Sequence, residues 1–67
     1  MKIASDRIKE MREEKNMTQA ELANQAGVSR SFIGRIETNP KLKCKLRPFF
    51  RLADELDCWI EDLVRRG

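Results

Sequence analysis

Apolar positions recur at helical spacing along this chain of 67 residues, most clearly over residues 19–38. Leu22, Ala23 and Ala26 form one stripe, and Ile33 and Ile36 form a second. Between the stripes stands Gly27, where a sharp turn needs a residue that takes positive φ without a Cβ clash. Val28 follows it and can plug the inside corner. Ala23 is small where two helices must approach closely. Both segments also carry start signals. Thr18 and Glu21 form an S/T-x-x-E capping box, with Met17 placed to staple onto Leu22. Ser29 is the natural N-cap of the second segment, and Val28 can staple onto Ile33. Two capped helices around one glycine predict a helix-turn-helix.

The flanking segments continue the helical pattern. Residues 5–15 predict a first helix, with Ser5 as N-cap and Asp6 in the first turn, where the helix dipole favours an acid. Ile8 and Met11 would face inward, joined by Ile3 from the preceding arm. Asn16 suits a left-handed helix end. Asn39-Pro40 stops the helix over 30–37, because a residue before proline avoids the α region. Pro48, tolerable only in a first turn, places the start of a helix over 46–56. Leu46, Phe49, Ala53 and Leu56 would close the core there, with Phe50 and Leu52 widening the stripe. A short last helix is expected over 60–66, from Ile60, Leu63 and Val64.

The run Met17-Thr18-Gln19-Ala20-Glu21-Leu22-Ala23, then Gly27-Val28-Ser29-Arg30-Ser31, then Ile33 and Arg35-Ile36-Glu37, resembles the phage Cro and repressor type of helix-turn-helix domain. This is also called the xenobiotic-response-element family. The resemblance runs from about Ile8 to Leu63 and implies an all-α, compact five-helix lambda-repressor-like DNA-binding domain, here one domain over 1–67. It further implies that Arg12 pairs with Glu37, tying the first helix to the end of the recognition helix. It implies a phosphate grip by Gln19, whose place at a helix N-terminus already offers free N–H groups and partial positive charge. Thr18 and Asn24 are lesser phosphate candidates.

Over residues 30–38, Ile33 and Ile36 face the core, which leaves Arg30, Ser31, Gly34, Arg35 and Thr38 outward. The resemblance marks Arg30, Ser31 and Arg35 as base-reading. Arginine suits this because its planar fork matches guanine O6 and N7. Gly34 weakens the helix by about 1 kcal/mol against alanine, a hint of a close approach. Phe32 stands where relatives carry Thr or Ser; it either touches a thymine methyl or sugar, or packs over the basic loop. Relatives also send an arginine like Arg47 towards the minor groove, and several dimerise through the end of the domain. Trp59 is therefore either a core lid or part of a dimer patch with Leu63 and Val64.

Charge sharpens this picture. The net charge of +3 is uneven: residues 30–51 hold seven Lys and Arg against Glu37 alone. The remaining residues carry seven basic and ten acidic side chains. A basic middle between acidic flanks suits a polyanion-facing surface. Lys41, Lys43 and Lys45 alternate, which would turn them to one side of an extended segment as phosphate contacts.

Other chemistries lack their parts. The chain has no histidine, no nucleophile paired with a base and no glycine-rich phosphate loop, so no enzyme is expected. Cys44 and Cys58 are too few for a zinc site, so no metal and no cofactor are expected. Both are expected as reduced thiols, Cys44 exposed enough to oxidise between molecules. No apolar run approaches the roughly 18 residues of a membrane span, and the start of the chain lacks the apolar core of a signal peptide. The expected location is cytoplasmic. The expected activity is sequence-specific binding of double-stranded DNA at a palindromic operator by a homodimer, as a repressor. These 67 residues leave no room for a ligand-sensing domain; if the chain is complete, control by its own concentration or by a protein partner is expected. The alternatives are a protein-interaction module, such as the antitoxin of a toxin pair, and an inert fragment of a larger repressor.

Overall fold

Residues 2–43 and 45–65 are described by the computed structural model. Among them the helices are α1 (Ser5–Glu14), α2 (Gln19–Ala26), α3 (Arg30–Thr38) and α4 (Leu46–Glu55). One turn of 3-10 helix, Ile60–Leu63, follows. Strands β1 (Lys2–Ile3) and β2 (Val64–Arg65) pair antiparallel, Lys2 opposite Arg65 and Ile3 opposite Val64.

Local chemistry sets the two central helices. The Thr18 hydroxyl accepts from the Glu21 N–H at 3.0 Å, while the Glu21 carboxylate accepts from the Thr18 N–H at 3.0 Å. Gly27 ends α2 in the left-handed conformation, at φ 70°. The Ser29 hydroxyl accepts from the Phe32 N–H at 3.1 Å and starts α3. Asn16 ends α1 at φ 56°, and Asp57 takes the same conformation after α4 at φ 53°.

Helix α3 packs on α1 and α2, and α4 lies against α2. The centre is Ile8, Leu22, Ile33, Ile36, Leu52 and Leu63, all fully buried. Each such side chain contributes roughly 1.5–3 kcal/mol, which a domain this small needs. Met17 and Val28 pack against the rim of this core. None of the described helices is long and apolar enough to cross a membrane.

The tertiary structure corrects the sequence reading in several places. There are four α-helices among the described residues, not five. The expected last helix is a single 3-10 turn, because Val64 and Arg65 leave the helical path to pair with the N-terminal arm. Ser5 is not the N-cap of α1: Ala4 takes that place without a side-chain bond. Tertiary contact sets the start instead, through the Ala4 N–H donating to the Leu63 carbonyl at 2.9 Å. The Ser5 hydroxyl is buried and has no hydrogen-bond partner among the described residues.

Leu46 and Phe50 do not close the core; they are 57% and 54% exposed. The buried stripe of α4 is Phe49, Leu52 and Ala53, continued by Leu56. Leu46 extends it one turn beyond the core, and Phe50 points off its side. Leu63 cannot belong to a dimer surface, since the 3-10 turn buries it completely. Trp59 is no core lid, being 79% exposed. Cys44 and Arg66, expected as an exposed thiol and as the last helical residue, lie outside the described residues.

This division of the C-terminal residues can be tested by urea unfolding. Leu63→Ala is expected to lower stability by roughly 2–5 kcal/mol, and Trp59→Ala to stay within about 0.5 kcal/mol. Similar losses for both would contradict the assignment of Leu63 to the core and Trp59 to the surface.

Candidate nucleic-acid interface

Arg12, on α1, reaches across to Glu37 near the end of α3. Its Nε donates to Glu37 Oε2 at 2.7 Å and its Nη2 to Oε1 at 3.1 Å. Its Nη1 donates to the Met17 carbonyl at 2.6 Å, just before α2. Both residues are buried, so neither charge is solvated and each relies on the other. Glu37 Oε1 accepts a further bond from Gln19 Nε2 at 3.2 Å. One ion pair thus joins α1, the approach to α2, the first residue of α2 and the C-terminal turn of α3. The facing carboxylate raises the Arg12 pKa beyond its already high ordinary value. The Gln19–Glu37 bond has no sequence signal, as it links positions 18 residues apart.

The other side of α3 is uncovered. Ile33 and Ile36 hold the helix to the core, while Arg30, Ser31 and Arg35 are exposed and Gly34 is half-buried. Gln19, Arg30, Ser31 and Gly34 line a shallow cleft between the start of α2 and α3. The Thr38 hydroxyl turns back and donates to the Gly34 carbonyl at 2.8 Å. Phe32 packs edge-to-face on Phe49 of α4, ring centroids 6.2 Å apart, and so helps to seat α3. Thr18 is engaged in its capping box. Asn24 is exposed on α2.

The lysine-rich segment does not run straight. The Asn39 side chain accepts from the Lys41 N–H at 3.1 Å, and the Asn39 carbonyl accepts from the Leu42 N–H at 3.1 Å. Lys41 therefore sits in a tight turn rather than on an extended strand. The β1 arm holds this turn, the Ile3 N–H donating to the Pro40 carbonyl at 2.7 Å. Lys41, Lys43, Lys45 and Arg47 are all exposed. Arg51, counted with the basic stretch, is held by the fold itself, its Nη1 donating to the Gly27 carbonyl at 3.1 Å. A cation there suits the C-terminal end of α2.

Elsewhere, Phe50 and Trp59 border a concavity with Cys58 and Ile60, and Val64 is half-buried in β2. Burial pushes the Cys58 thiol up from its ordinary pKa. A hydrogen bond from Arg65 holds the Asp6 carboxyl below its ordinary value. Among the described residues, no three His, Cys, Asp or Glu side chains gather as metal ligands.

A family model described as helix-turn-helix, HTH_3, matches residues 8–63. No curated protein matches the chain. Among solved structures, the N-terminal DNA-binding domain of SinR from Bacillus subtilis superposes with TM-score 0.83 at 30% identity, covering 94% of this chain and 91% of that one. SinR in complex with DNA gives TM-score 0.78 at 32% identity, over 85% and 90% of the two chains. The restriction-modification controller protein C.AhdI from Aeromonas hydrophila gives 0.76 at 29% identity, over 87% and 86%.

Removing one partner of the buried pair leaves a charge without its counterpart. Glu37→Ala is expected to cost roughly 3–5 kcal/mol, whereas the joint replacement Arg12→Met with Glu37→Leu regains most of that loss. Urea titration of the three proteins measures both; a near-neutral single substitution would show that water reaches the pair.

Proposed function

Since the chain belongs to the HTH_3 family of helix-turn-helix proteins, we propose that it is a sequence-specific transcriptional regulator of double-stranded DNA, acting as a repressor in the cytoplasm. The observation that carries this is the uncovered face of α3, with Arg30, Ser31 and Arg35 exposed beside Gln19 at the start of α2. A helix anchored on one side and bare on the other is what insertion into the major groove requires. Arg30, Ser31 and Arg35 read base edges. Gln19 and Thr18, at the N-terminus of α2, hold one phosphate run. Lys41, Lys43, Lys45 and Arg47 hold the next. Phosphate contacts position the domain and base contacts specify the site. The function is binding rather than catalysis.

The operator is a palindrome read by a homodimer, with half-sites about one helical turn apart. Phe50, Trp59 and Val64 are the surface residues offered for that contact; Leu63 is not among them. A second reading is binding to a different protein; the solved SinR–SinI complex, whose matched chain is 32% identical over 85% of this one and is itself covered to 55%, supports a protein partner without giving its place.

Selection from a random duplex pool at near-physiological salt tests the proposal. A two-fold symmetric enriched motif is expected; salt-sensitive binding without enrichment favours the partner-dependent reading. On the enriched duplex, Arg35→Ala is expected to lose roughly 1–3 kcal/mol and to relax one base position. Lys43→Ala is expected to weaken all duplexes alike and to reduce the slope of log K against log salt by about 1. An equal loss on every sequence moves Arg35 to the phosphate class, and an unchanged slope takes Lys43 off the DNA.

A further inference from the structure

Gly34 lies in the middle of α3, where glycine weakens a helix. Three internal reasons for a glycine are a positive φ, a packed neighbour and a helix end. None applies. Gly27 is the one glycine with positive φ among the described residues. Among the described residues, a Cβ on Gly34 would meet only Gln19 Oε1, at 3.9 Å, an ordinary contact. The helix continues to Thr38. Nothing among the described residues calls for the missing Cβ, which leaves space there for something outside the chain. Its neighbours in the cleft say what kind of thing: Ser31 stands one turn before it, and Arg30 and Gln19 flank both. A serine hydroxyl is too short to reach a base edge unless the helix backbone itself comes close.

Resting on the DNA-binding reading above, we propose that Gly34 sets how deeply α3 enters the major groove, and that the depth is what lets Ser31 touch a base edge. Gly34 is then a specificity determinant that contributes no contacting group of its own. A methyl at this position lifts the helix. The long arginines can follow such a shift, and the serine cannot.

The test is Gly34→Ala, measured for thermal stability and for binding to the preferred and to a scrambled duplex. The variant is expected to melt about 2–8 °C higher and to bind the preferred duplex about tenfold more weakly, with little change on the scrambled one. In a double-mutant cycle, Ser31→Ala is expected to cost nothing more once Gly34 is replaced. A lower melting temperature would reveal an internal need for glycine and overturn the inference. So would unchanged affinity, an additive cycle, or equal losses on both duplexes, which would place the close approach at the backbone. Failure of the unsubstituted protein to prefer any sequence is a separate result: it removes the DNA-binding reading and this inference with it.

Discussion

The carboxylate of Glu37 is the point on which the arrangement of helices depends. Burying a charge is costly unless it is paired and hydrogen-bonded. Here the carboxylate accepts from Arg12 twice and from Gln19 once, and Arg12 gives its remaining nitrogen to the Met17 carbonyl. An apolar contact would hold the same helices together with less directional demand. The ion pair instead requires α1, the start of α2 and the end of α3 to meet in one geometry, because each unmet bond would leave a buried polar group unpaired. That geometry sets Gln19 beside the open face of α3.

The rest of the core orients α3 about that anchor. Ile33 and Ile36 are fully buried, and Phe32 leans on Phe49 of α4. The helix is thus gripped along one side while its arginines stay in solvent. Arg51 secures the neighbouring turn by closing the Gly27 carbonyl. A recognition surface works best when its groups sit on elements locked by packing. The same economy explains why the arginines divide into two kinds. Arg12, buried, and Arg51, exposed, are bonded into the fold, while Arg30 and Arg35 stand exposed on α3.

Away from this face, the two ends of the described chain hold each other. Ile3 pairs with Val64 across a short sheet, the Ala4 N–H meets the Leu63 carbonyl, and Arg65 bonds Asp6. Surface pairs such as the last contribute little alone. Together with the buried Leu63 they bring the 3-10 turn against α1 and α4. Trp59 and Phe50 remain outside that closure, exposed around one concavity.

The helix-turn-helix was legible in the sequence because its determinants are local. The Thr18–Glu21 box, Ser29, Gly27 and the 22–23–26 and 33–36 stripes each act within a few residues, and backbone and capping chemistry alone place them. The pairing of Arg12 with Glu37 was available only through resemblance. What the linear pattern did not determine depends on residues distant in the chain. Periodicity could not say that Leu46 and Phe50 stay exposed, because the end of the core along α4 is set by the elements packed there. Nor could it say that Val64 becomes a strand, since its partner is Ile3, at the other end of the sequence. The start of α1 at Ala4 likewise answers to Leu63, and Gln19 finds Glu37 only once α2 and α3 have docked. Sequence determined where α2 and α3 begin and where the chain turns between them, through short-range sterics and hydrogen bonds. Tertiary structure decided which apolar residues are buried and which polar groups meet, because those depend on contacts that exist only after the chain has closed on itself.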